Sequence, residues 1–556
     1  MDLGSPVGGI TQYPVPFPQD DPLLLHHLRS GCPDPVKAGL MSDADADGMF
    51  DFYFQHLNAI LAILDPNLHS ANYCRQKSTL LYSSVLTVTT KVVRPKIYAR
   101  CMMLTNKLVG QAVEFGLCSV HIVQALNLLH HWKKSDDHTS WRRMGYAIRM
   151  AQELRLDIKS SRPLPSEDLI AREMLNKERA WLNLIIADYH LAIHHSLPRM
   201  IHTQDVDDPA DWVADHPRFA IPGESSLGPL ITFSRMCRFY ADNLDTKNRE
   251  SETRTLHWLE VEWARWRNRW LANNERFQFT QSQLATFRLC DAYFCFHIAE
   301  YRLLATARHN HTKDHIDLNR PSALSSAFSK SVEAALGIAI VIQKDLAPYG
   351  FLPYCFYLTW VAMAVTAIWL VKNIAPMSQE DRVRVIGLLT EVQFSIEEAS
   401  RSSDDMAAYT NRLLKHLLNG VSPEWQLASF LSNSEVPQDS QQISETSVAS
   451  MVAAPEWTAP TAAMWEPFSA QDIIQNQLWS QHTNAEPSLH PLNLLETGRN
   501  GPSQQAQQDE AMPGSQADIP AVPNEVGGFL FPTDDDDFWR SLFPLIDTGT
   551  NSSLPG

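Results

Sequence analysis

Thr139-Ser-Trp-Arg-Arg-Met-Gly-Tyr-Ala-Ile-Arg-Met-Ala-Gln-Glu-Leu-Arg-Leu156 carries an apolar residue at every third or fourth position. Trp141, Met144, Ile148, Ala151 and Leu154 therefore share one face of an amphipathic helix. Ser140 reads as its N-cap, with Asp136 and Asp137 upstream favouring the positive end of the helix dipole. Gly145 and Ala147 are small enough for a second helix to approach closely. Pro163 and Pro165 stop the pattern. A second helix is expected from about Ile170 to His195, with Leu182, Ile186, Tyr189 and Ile193 on its apolar face. Leu197-Pro198-Arg199-Met200-Ile201 follows it.

These blocks resemble the middle homology region of fungal zinc binuclear cluster (Zn2Cys6) transcription factors. That family shows a Trp, three residues, and then Gly-x-Ala-x-Arg-Met-Ala-x-x-Leu-x-Leu. Trp141, Gly145, Ala147, Arg149, Met150, Ala151, Leu154 and Leu156 match it. After a loop the family has an Arg before a Trp, an Asp-Arg pair, and Gly-Arg-Pro before an apolar residue. Arg179, Trp181, Asp188, Pro198 and Ile201 fit. Tyr189 stands where the family usually has Arg, and Ser196-Leu197 where it has Gly-Arg. The likeness extends upstream through Gly39-Leu40-Met41-Ser42 and Phe50 to Pro66, and downstream to about residue 420. It implies regulation of RNA polymerase II transcription in a fungal nucleus, by a helical regulatory domain acting on metabolic or secondary-metabolite genes.

The family's zinc cluster needs six thiolates in C-x2-C-x6-C half-clusters, because six sulfurs hold two zinc ions. Among the eight cysteines no such spacing occurs, and no C-x-x-C pair either. No cofactor is therefore visible, and zinc is expected only with an N-terminal cluster missing from this chain. DNA contact is expected through such a zinc module or through a partner protein. The alternative is a zinc-less scaffold, effector sensor or corepressor that does not bind DNA directly. A homodimer is a further expectation. The scattered cysteines suit buried thiols of a reducing compartment rather than a disulfide framework.

The 556 residues carry a net charge of −17. From Val421 onward about eighteen acidic residues face only Arg499 and Arg540, so the excess is concentrated at that end. Residues 1–38 are Pro-rich and aperiodic, a flexible arm; 39–420 read as one all-α domain; 421–556 read as a disordered acidic and aromatic tail. Near its end, Phe529 and Phe531 precede Asp534 to Asp537, then Phe538, Trp539, Leu542 and Phe543. Acids keep bulky apolar residues solvated until a coactivator groove takes them as an induced helix. That is the logic of an activation region, set against a merely solubilising tail. Coactivators are the expected partners.

Other features allow two readings. Asp43, Asp45 and Asp47 imitate the start of a calcium loop, but position twelve is Phe54, so helix capping is the better reading. Trp263, Trp266 and Trp270 share a predicted face with Trp258 nearby, suiting core packing more than a ligand cage. Tyr354 to Val371 is apolar and uncharged, at the lower limit of a membrane span, but alone and behind Pro353; a core helix and no membrane partner are expected. No G-x-S-x-G, G-x-G-x-x-G, phosphate-loop or H-E-x-x-H pattern occurs, and no catalytic or metal residue is assigned.

Overall fold

The computed structural model describes residues 32–421 except 136, 195–196, 203–208, 245–247, 273–276, 311–319 and 404. Among these residues every regular element is helical and no strand occurs, an all-α fold.

The first helix, α1, spans Asp43–Phe52 and opens with a capping box. Asp45 N–H donates to Ser42 Oγ at 3.1 Å, and Ser42 N–H to Asp45 Oδ2 at 3.0 Å. Asp43 meets Arg75 at 2.5 Å, and Asp45 also pairs with Arg94. Asp43 and Asp45 are thus engaged in capping and ion pairs. Gly39, just upstream, has φ +68°, a left-handed turn that glycine adopts without a Cβ penalty. A π-turn at Tyr53–Leu57 then widens the helix before the final turn Asn58–Leu61. The extra residue in that turn shifts the buried face: Tyr53 is fully buried and donates to Asn58 Oδ1 at 2.9 Å, while Phe54 is only half-buried.

Next come α2 (Ala71–Lys77), α3 (Thr79–Val93), α4 (Pro95–Glu114) and α5 (Val120–His131). Ser70, Ser78 and Ser119 cap α2, α3 and α5. Leu80 to Lys91 of α3 are all buried, because α1, α4 and α5 pack around it. Helices α6 (Ser140–Glu153) and α7 (Asp168–His194) pack on α5 and on each other. The short α8 (Pro209–Ala214) leads to α9 (Leu227–Asp242), which lies along α7.

The remaining body contains α10 (Arg249–Arg267), α11 (Gln281–Asn310), α12 (Arg320–Val341), α13 (Tyr357–Lys372), α14 (Gln379–Ala399) and α15 (Met406–Asn419). The most extensive helix pair is α11 with α12; α13 packs on α12 and α15, and α14 on α15. The uncharged run begins its helix at Tyr357 rather than Tyr354, since Leu352–Tyr354 form a separate 3-10 turn. Its side chains from Tyr357 to Met363 are all buried in the core. Ala323–Leu346 is, among the described residues, the one helical stretch long and apolar enough to cross a membrane by length and composition, and 56% of its apolar 18-residue part is buried inside the body.

Trp266 and Trp270 enter the core, at 3% and 1% exposure. Trp263 does not join them; it is half-buried and donates to Asp291 Oδ1 at 2.8 Å. Trp258 packs on Phe239 with ring centroids 3.7 Å apart. The tryptophans are therefore divided between core and rim.

Candidate functional site

Most residues of the two motif blocks lie on α6, α7 and the segment Leu197–Ile201. On α6, Met144, Ala147, Ile148, Met150 and Ala151 are buried, while Trp141 and Leu154 are half-buried and Arg149 is exposed. Ser140 does not cap this helix. It occupies the first turn, and its hydroxyl pairs with His130 Nδ1 at 2.7 Å. Asp137 holds the approach instead, accepting from Thr139 N–H at 2.7 Å. Asp136 lies outside the described residues. The neighbour admitted by Gly145 is Met200: a Cβ there would meet its sulfur at 3.4 Å. The small residue thus faces the segment after α7 rather than another helix.

Asp188 explains how that segment is held. It is 1% exposed, and Oδ2 accepts from Met200 N–H at 2.9 Å and from Ile201 N–H at 2.8 Å. One carboxylate oxygen therefore satisfies two backbone donors just after Pro198, where a trans chain without regular structure needs acceptors. Burial raises the Asp188 carboxyl above its usual pKa, and the two N–H donors only partly offset this. Tyr189 meets Arg199: the guanidinium carbon is 5.9 Å from the ring centroid, and Nη1 lies 3.5 Å from the phenol oxygen. Trp181 is 5% exposed, with no partner for its indole N–H among the described residues.

Arg179 is completely buried. Its Nε donates to Glu224 Oε1 at 2.9 Å, a second donation from Nη2 reaches the same oxygen, and Asp65 Oδ2 lies 3.9 Å away. Glu224 Oε2 accepts from Ile221 N–H at 3.0 Å and faces His216 Nε2 at 3.2 Å. Asp65 also pairs with Arg172 at 2.9 Å. Burial acts to raise the Glu224 carboxyl, but Arg179 and His216 outweigh it and leave it lowered. Beside this group, Glu178 accepts from Ser160 N–H at 2.8 Å, Arg162 Nη2 at 2.8 Å and Trp212 Nε1 at 2.5 Å. Its pKa is likewise lowered, as these donors overcome burial.

Successive residues Glu178 and Arg179 thus brace different loops. Glu178 ties the loop around Ser160 and Arg162 to Trp212. Arg179 ties the end of α1's extension, through Asp65, to the turn Pro222–Ser226. Chemically the arrangement is a set of paired charges that fixes loop positions, with Arg179 Nη1 left without a hydrogen-bond partner among the described residues. Sequence reasoning selected Arg179 but missed Glu224, Asp65, Arg172, His216 and Glu178. The Pro222-Gly-Glu224 turn was a local signal for a carboxylate near a chain reversal; its partner, 45 residues upstream, left no periodic trace.

Among the described residues no group of three or more His, Cys, Asp or Glu could hold a metal. All eight cysteines are free. Phe529, Phe531, Phe538, Trp539, Leu542 and Phe543 lie outside the described residues, as does 1–31 of the arm.

The chain is similar to Protein priB of Lentinula edodes, with 32% identity over 166 residues. The match covers 29% of this chain and 27% of that protein, so about a quarter of the relative's length is spanned. No family model matches the chain, and no solved structure does.

Proposed function

We propose that this protein is a nuclear regulator of RNA polymerase II transcription, with the helical body as regulatory scaffold and the acidic tail as the coactivator-binding region. The metabolic or secondary-metabolite character of its target genes follows from the resemblance described above. The observation that carries the reading is the agreement between motif and packing. Gly145 and Asp188, from separate motif blocks, both meet the segment carrying Met200, so the two blocks pack together there. The composition of 421–556 supports the second half of the reading: acidic residues alternate with Trp, Phe and Leu clusters.

A specific observation keeps a second reading alive. The sequence given holds no C-x2-C-x6-C spacing, so DNA contact through a zinc module outside it stands beside a scaffold or corepressor reaching DNA through a partner. Chromatin immunoprecipitation of the tagged chain separates these possibilities. A regulator of either kind is expected to enrich promoter regions; uniform recovery across the genome would contradict both. Enrichment that persists when co-bound transcription factors are depleted favours direct contact, and enrichment that vanishes favours the partner route.

A further inference from the structure

A cavity of about 30 Å³ lies where the end of α5 meets the Pro353–Tyr357 segment and the α14–α15 junction. Lys91, His131, Lys133, Tyr357, Arg401 and Asp405 contribute its polar lining. Its chemistry is unusual for so small a recess. His131 is 2% exposed, and neither ring nitrogen has a hydrogen-bond partner among the described residues. Lys133 is 6% exposed, and among the described residues its ammonium has a ring contact but no ion pair: Nζ lies 4.1 Å from the Tyr357 ring centroid. The lining carboxylate is already engaged. Asp405 Oδ2 accepts from Arg401 and Ser402 N–H at 2.7 and 3.0 Å, and Oδ1 from Ala408 N–H at 2.6 Å, as the N-cap of α15.

We propose that this cavity binds a small anion, between chloride and formate in size, held by the Lys133 ammonium and an N–H of His131. A buried cation with no carboxylate in ion-pair contact among the described residues is costly, and a buried imidazole with both nitrogens unsatisfied adds to that cost. An anion answers both at once. The volume suits one or two heavy atoms beyond a water, since a water needs roughly 10–15 Å³. Binding would join α5 to the α14–α15 junction, and so two parts of the body distant in sequence.

Charged and titratable groups face the site from every side. Lys91 donates to the Trp132 and Lys133 carbonyls at 3.2 and 2.8 Å. Asp137 acts on Lys133 from its own loop, and Cys355, Tyr357, Arg401 and Asp405 close the far wall. Burial lowers Lys133 to about 8 and His131 to about 3, so at neutral pH the lysine is mostly charged and the histidine neutral. Binding is therefore strongest below pH 8 and fades as Lys133 loses its proton.

The test is the melting temperature of the full chain against added chloride or formate, with sulfate as a control too large for the cavity. A saturable rise of roughly 2–4 °C is expected for the small anions, without saturation for sulfate. Lys133→Met should abolish the saturable part. Ala407→Leu, which fills the cavity and leaves every charge in place, should abolish it too, and it guards against Lys133→Met failing to fold. Excess ³⁵Cl line broadening on the unmodified chain, displaced by formate, gives a third readout that needs no variant. A flat response, occupancy by water alone, or a response indifferent to both substitutions and to pH between 7 and 10 would overturn the proposal.

Discussion

Asp188 is a carboxylate that the fold needs for its oxygen rather than its charge. Burial raises its pKa, and an acid raised on folding contributes stability below its unfolded pKa and loses it as pH rises through the folded value. At neutral pH the ionised group therefore works against the fold, while its two accepted N–H bonds work for it. Asp188→Asn keeps an oxygen for Met200 and Ile201 and removes the charge. Urea unfolding at pH 7 should show it as stable as the original or more so. Asp188→Ala strands both donors and should cost about 2 kcal/mol. Equal damage from both substitutions would refute this division of labour. Glu224 has the opposite sign: its lowered pKa gives stability present above the usual Glu value and lost as pH falls through the folded one. Arg179→Met leaves Glu224 without its buried guanidinium, while Asp65 keeps Arg172 at 2.9 Å, and should cost about 3–5 kcal/mol at pH 7. The loss should shrink in acid, where Glu224 takes up a proton; a pH-independent loss would show that packing, not charge, is what Arg179 supplies.

At the level of elements, two helix glycines make a paired test. Gly228 of α9 faces Trp270: an added Cβ would meet Cη2 at 2.7 Å, against a ring that is 1% exposed and cannot move aside. Gly228→Ala should cost about 1–3 kcal/mol through overpacking. Gly145, although part of the motif, has an ordinary 3.4 Å clearance to a flexible Met side chain. Gly145→Ala should fall between neutral and about 1 kcal/mol more stable, reflecting helix propensity. Thermal melts of the two variants should therefore separate in opposite directions. The same contrast marks what could be read from sequence. Helical periodicity located α6 and α7 well, because a buried face leaves a repeat of three and four; α13 was marked instead by its uncharged run, buried all round from Tyr357 to Met363. Ser140 misled, since a serine ahead of an apolar run also suits a buried partner, here His130. The π-turn at Tyr53–Leu57 was invisible because an extra residue in one turn changes the register without changing composition. The Arg179–Glu224 brace was half legible: its arginine lies in a motif, while its acid is fixed only by tertiary packing.

For the whole molecule, charge is the organising contrast. The chain's net −17 is concentrated beyond Val421, and the body's central charges, around Arg179, are paired and buried. On the proposed function, the body gives position and control while the tail gives output. The most direct measurement is reporter transcription driven by the full chain tethered to DNA through a heterologous binding domain, compared with the same fusion carrying Phe538→Ala, Trp539→Ala, Leu542→Ala and Phe543→Ala. The unmodified fusion is expected to activate, and the variant to lose about tenfold at equal protein level, on the order expected when apolar anchors leave a short induced helix. Equal output from the two fusions, or no activation by either, would contradict the proposed function.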